Sequence, residues 1–106
     1  MVGDREEDSA SQGPEEPPRE RVVAVVETVA RHLALQPWAE DLSTQEVAEA
    51  LGLTPGDVSA CLTWCEAQGL VTSSAEPRRT GVLLWRATRQ GFAFLVEVIE
   101  SEQAQS

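Results

Sequence analysis

Two cysteines, one histidine and a run of arginines are the residues of this chain with distinctive chemistry. Cys61 and Cys65 stand four apart. On a helix that spacing puts them on one face with Cβ atoms ~5–6 Å apart, whereas a disulfide needs about 3.8 Å. An internal bridge would therefore require unwinding. Two readings of the pair stay open: small apolar fillers of a core, or a redox-active thiol, with Cys61 nearer the rim of its stripe and so the better placed. His32 falls at the edge of an apolar stripe, a surface position, with no nucleophile or orienting group patterned around it. No phosphate-cradling glycine loop occurs, and the carboxylates lie in caps or on solvated faces. The sequence thus predicts no catalytic residues, no metal site, no cofactor and no enzymatic activity.

All eight basic residues are arginine. Arg78, Arg79, Arg86 and Arg89 fall between Thr72 and Gly91, where Glu76 is the only acid. Such a run suits phosphate or minor-groove contact. Its plain alternatives are a solvated turn, or pairing with the acids of a partner protein. The overall balance opposes nucleic acid: the net charge is −10, and from Trp38 to Leu70 stand Glu40, Asp41, Glu46, Glu49, Asp57 and Glu66 without one basic residue. A surface of that sign lowers both the rate and the affinity of binding to a polyanion.

Helices must position these groups. Residues 1–20 hold seven carboxylates against two arginines, three prolines and almost nothing apolar, which predicts a disordered acidic tail. The remainder, 21–106, is long enough for one domain. Val22, Val26, Val29 and Leu33 recur at helical spacing and predict a first helix over Arg21–Leu35. Its valine content disfavours an isolated helix, so packing must hold it. Gln36–Leu42 reads as a loop in which Trp38 covers the core.

The central stretch is Ser43–Val71. Ser43 with Glu46 forms a capping-box pattern, and Thr54 with Asp57 repeats it behind Pro55, at a first helical position. Gly52 lies where the first of these helices must stop. The result is helix, tight turn, helix. Val58, Leu62 and Cys65 face inward from the second helix on a 100° wheel. Gly56, Ser59, Ala60, Thr63 and Ala67 face outward, with Trp64 beside them. Leu70–Thr72 and Val82–Arg86 read as strands of a hairpin with its tip at Ser73–Thr80. A last helix over Thr88–Glu100, capped by Thr88, carries a core stripe of Phe92, Leu95, Val96 and Ile99. A second stripe, Phe94 and Val98, is left for a partner.

These residues resemble winged helix-turn-helix regulators of the MarR-like or ArsR-like kind. The resemblance rests on Leu42-Ser43, Val47-Ala48, Leu51-Gly52-Leu53, Val58-Ser59, Leu62 and Gly69-Leu70-Val71, and continues in Leu84–Gly91, LWRATRQG. It covers roughly Arg21–Ile99. It implies a mainly α fold with a small β-hairpin: a three-helix core, a two-stranded wing and a C-terminal helix. It also implies a homodimer, through the first and last helices, and a second helix that enters the major groove. Ser59, Ala60 and Thr63 would then meet base edges, and Arg78, Arg79, Arg86 and Arg89 phosphates. ArsR-like metal sensors place cysteines on this helix with one residue between them, a spacing that Cys61 and Cys65 do not share.

Two functions follow. One is a DNA-binding transcription regulator. The other is an acidic winged-helix module that binds protein instead of DNA through the neutral outward face with Trp64 as its anchor, while Phe94 and Val98 remain the stripe for a partner or second copy. No apolar run reaches the ~18 residues of a membrane span and no signal-like leader opens the chain, so no membrane association and a cytoplasmic location are expected.

Overall fold

The structure, a computed structural model, describes residues 16–104, so the tail expected over residues 1–20 lies largely outside the described residues. Helix α1 (Arg19–Leu35) begins two residues earlier than its periodicity predicts, directly after Pro18, with Glu20 in its first turn. An acid there complements the positive end of the helix dipole. Val22, Val25, Val26, Val29 and Ala30 are buried, and α1 packs on α2, α3, α4 and β3. That central position is how a valine-rich helix with poor intrinsic propensity is held.

Strand β1 (Leu42–Ser43) leads straight into α2 (Thr44–Leu51). The capping box forms in full: Ser43 Oγ accepts from Glu46 N–H at 3.2 Å, and Glu46 Oε1 accepts from Ser43 N–H at 2.9 Å. Gly52 ends α2 at φ +68°, ψ 29°, in the left-handed region that costs glycine little. Helix α3 (Pro55–Ala67) starts behind Thr54, whose Oγ1 accepts from Asp57 N–H at 3.1 Å. Here only the Thr54 half of the expected box forms. Val58, Leu62 and Cys65 are buried and Gly56, Ser59, Ala60, Thr63 and Ala67 exposed, as the wheel predicts, and Cys61, expected nearer the rim, is buried with them.

The wing is longer than expected and better anchored. Strands β2 (Val71–Ala75) and β3 (Leu83–Ala87) pair antiparallel, and β1 joins the far edge of β3 with Leu42 opposite Trp85 and Ser43 opposite Leu84. The sheet is therefore three-stranded, in the order β1-β3-β2. Two-residue β1 has no strand periodicity of its own for sequence reasoning to detect. Trp85 is buried in the core, and its indole Nε1–H donates to Thr44 Oγ1 at 2.8 Å, tying the sheet to α2. Trp38, expected to cover the core, is 80% exposed.

Helix α4 (Arg89–Ala104) turns the expected core stripe outward except at Leu95. Gly91 and Val98 are buried, with Phe94 and Leu95 packed against the core, while Phe92, Val96 and Ile99 are exposed. Gly91 sets this phase. A Cβ added at Gly91 would lie 2.2 Å from the Leu70 carbonyl oxygen, so only glycine lets the two backbones approach this closely. The inward stripe then runs Gly91, Phe94, Leu95, Val98, at i, i+3, i+4, i+7. Alanine at Gly91 is expected to push α4 outward and lower stability by about 1–3 kcal/mol. A urea midpoint equal to wild type would contradict this packing.

Candidate nucleic-acid interface

Helix α3 presents its small, neutral face to solvent. Ser59, Ala60 and Thr63 are exposed on it, without an arginine, asparagine or glutamine among the outward positions. The face offers hydroxyl groups and a methyl, enough to touch base edges but not to form the bidentate pairs that discriminate best. Trp64 is half-buried and packs against the core, so it is not the free anchor the sequence suggests. Phe94 and Val98, the other expected interface residues, face inward for the reason given by Gly91.

The wing is fixed to the end of α3. Ser73 donates from its N–H and its hydroxyl to Glu66 Oε2, at 3.2 and 2.8 Å. The start of α4 is fixed to the same place: Thr88 Oγ1 donates to the Gly69 carbonyl at 2.6 Å, and Gln90 Nε2 to the Gln68 carbonyl at 3.2 Å. The exposed face of α3, the wing and Arg89 are thereby held as one rigid group.

The arginines have partners that sequence reasoning missed. Arg78 Nη2 donates to Glu40 Oε2, in the loop that joins α1 to α2. Arg86 Nε lies 3.2 Å from both carboxylate oxygens of Asp41. At the tip, Glu76 is buried; its Oε1 accepts from Arg78 N–H at 2.9 Å, and its carboxylate lies 3.7 Å from Arg78 Nε and 3.8 Å from Arg79 Nη2. Arg89 alone of the four has no ion pair among the described residues. It stands in the first turn of α4, where a cation opposes the helix dipole. The positive run seen in sequence is therefore mostly neutralised by this chain's own acids.

Cys61 is not at a rim. Both cysteines are wholly buried in the core between α1 and α3. The neighbouring Cys65 thiol, with help from Arg21, holds the Cys61 thiol below its usual range, while Cys61 and burial push Cys65 well above it. Shelter from solvent outweighs that activation, because oxidants reach exposed thiolates. His32 donates from Nε2 to the Glu40 carbonyl at 2.7 Å, a structural bond. Among the described residues, no three histidine, cysteine or acidic side chains cluster to hold a metal ion. None of the helices is long and apolar enough to cross a membrane among those residues.

No protein-family profile and no curated protein matches the sequence. Solved structures do match in shape. FabT of Streptococcus pneumoniae, solved in complex with DNA, aligns over 80% of this chain and 55% of its own, with a TM-score of 0.62 and 16% identity. A MarR-family transcriptional regulator from Rhodococcus sp. RHA1 aligns over 82% and 56%, with a TM-score of 0.64 and 26% identity. A protein from Ralstonia eutropha JMP134 aligns over 77% of this chain and 98% of its own, with a TM-score of 0.61 and 23% identity. The chain spans little more than half the length of the first two. In fold, this chain is a MarR-like winged helix-turn-helix domain.

Proposed function

We propose that this protein is a cytoplasmic transcription regulator that binds duplex DNA as a homodimer and has no enzymatic activity. The observation that carries the reading is the exposed face of α3 held rigidly beside a wing, in a fold shared with a protein solved on DNA. Ser59, Ala60 and Thr63 enter the major groove. Arg89 holds a phosphate, joined by Arg78, Arg79 and Arg86 when these exchange carboxylate for phosphate. With no strong base-reading side chain on α3, phosphate contacts dominate affinity. Exposed apolar side chains of two helices supply the dimer contact: Leu35 of α1 and Phe92, Val96 and Ile99 of α4 line a groove of ≈ 380 Å³.

Retardation of duplex DNA tests this. At ~50 mM salt and micromolar protein a complex is expected, weakening steeply as salt rises. Arg79→Ala with Arg89→Ala should weaken binding to all sequences alike and flatten the salt slope by about one unit per arginine. Loss of only one preferred sequence would contradict a phosphate role.

A second reading, the acidic protein-binding module, draws on the paired state of the wing. Arg78 and Arg86 face Glu40 and Asp41, which leaves the helix-turn-helix surface predominantly negative and suited to a basic protein. Absence of any complex with duplex DNA at ~50 mM salt is what that reading expects.

A further inference from the structure

The side chains of Glu40 and Asp41 pair only with the wing among the described residues. Helix α2 is capped without them, by Ser43 and Glu46. The only side-chain partner of Glu40 is Arg78, and that of Asp41 is Arg86, among the described residues. Their placement is nonetheless fixed. Antiparallel pairing sets Leu42 opposite Trp85 and Ser43 opposite Leu84, so the next step of the register brings Asp41 to Arg86. His32 grips the Glu40 carbonyl and aims the neighbouring carboxylate at Arg78, across 38 residues of sequence. Asp41 is the more sheltered acid, with its side chain 17% exposed.

A carboxylate on a guanidinium occupies the place a phosphate would take: two anionic oxygens within hydrogen-bond reach of a planar donor. We propose that Glu40 and Asp41 are an intramolecular phosphate mimic, an autoinhibitory contact that holds Arg78 and Arg86 away from DNA. The proposal rests on the DNA-binding reading and adds to it a regulator of the same site. Exposed ion pairs are individually weak, so DNA can displace the acids. Once displaced, both carboxylates stay near the phosphates and repel them. Any partner or modification that draws the 36–41 loop away from the wing would therefore raise DNA affinity.

The test compares the full chain with its Glu40→Gln, Asp41→Asn double variant, which preserves shape and removes two charges. The probe is a duplex of random sequence, titrated from ~50 to ~200 mM salt. The variant is expected to bind on the order of tenfold tighter at low salt, with a log–log salt slope steeper by up to about two units. If wild type binds and the variant binds no tighter, the mimic is overturned while the DNA-binding reading stands. If neither binds, that reading falls, and the contact is judged without DNA by hydrogen exchange at the Arg86 Nε–H. Faster exchange in the variant keeps the acids as a lock on the wing; an unchanged rate removes it.

Discussion

Trp85→Ala is expected to remove most of the stability of this domain. Trp85 is among the largest fully buried side chains, and truncating a buried tryptophan to alanine costs about 3–5 kcal/mol through lost transfer energy and the cavity left behind. A domain of this size has about 5–10 kcal/mol in total. The loss has a direction in the fold as well. The Trp85 Nε1–H bond to Thr44 Oγ1 at 2.8 Å joins the wing sheet to the first turn of α2, so truncation also frees the wing from the helix-turn-helix. Trp85→Phe separates the two contributions. It keeps most of the packing and should cost roughly 1 kcal/mol for the bond, plus the smaller ring. Urea unfolding followed by tryptophan fluorescence from Trp38 and Trp64 reads both variants. An alanine variant within 1 kcal/mol of wild type would show that Trp85 does not anchor the core.

Ile99→Glu is expected to turn a dimer into monomers. Ile99 is 53% exposed, Val96 52% and Leu35 66%, and they meet across the α1–α4 groove with Phe92 and Leu95. A contiguous apolar surface of this kind marks an interaction site, and a two-fold dimer covers it with its own copy. A glutamate buried there without a partner costs several kcal/mol, which raises the dimer dissociation constant by on the order of a thousandfold. Light scattering during gel filtration measures the mass directly. Phe94→Glu has a different expected outcome, because Phe94 packs on the core with the Arg19 guanidinium over its ring at 5.9 Å. That variant should lose stability rather than only its partner. A monomeric wild-type chain at micromolar concentration would end the dimer proposal.

The contrast between α2–α3 and α4 shows what was legible in the residues. Ser43, Gly52, Thr54 and Pro55 each carry a local backbone requirement, and each sits where its chemistry demands. Helix boundaries there could be read without any tertiary information. In α4, two apolar stripes of similar strength overlap, and periodicity alone does not choose between them. The choice is made by Gly91 against the Leu70 carbonyl, a contact between segments that are distant in sequence. The arginine partners were hidden for a related reason. Asp41 meets Arg86 only because a two-residue strand adds to the edge of β3. Charge counts by segment, negative then positive, are consistent with that pairing but do not specify it. The cysteines were legible as a shared helical face, but their depth was not, since it depends on how α1 lies over α3.

The central claim is that α3 and the wing meet DNA together. A titration of the isotope-labelled protein with duplex DNA at ~50 mM salt, followed by backbone amide shifts, tests it most directly. Shifts are expected at Ser59, Ala60 and Thr63, along the wing tip at Glu76–Val82, and at Arg89, while Phe92, Val96 and Ile99 stay unmoved. Shifts confined to the α1–α4 face, or none at all, would contradict it.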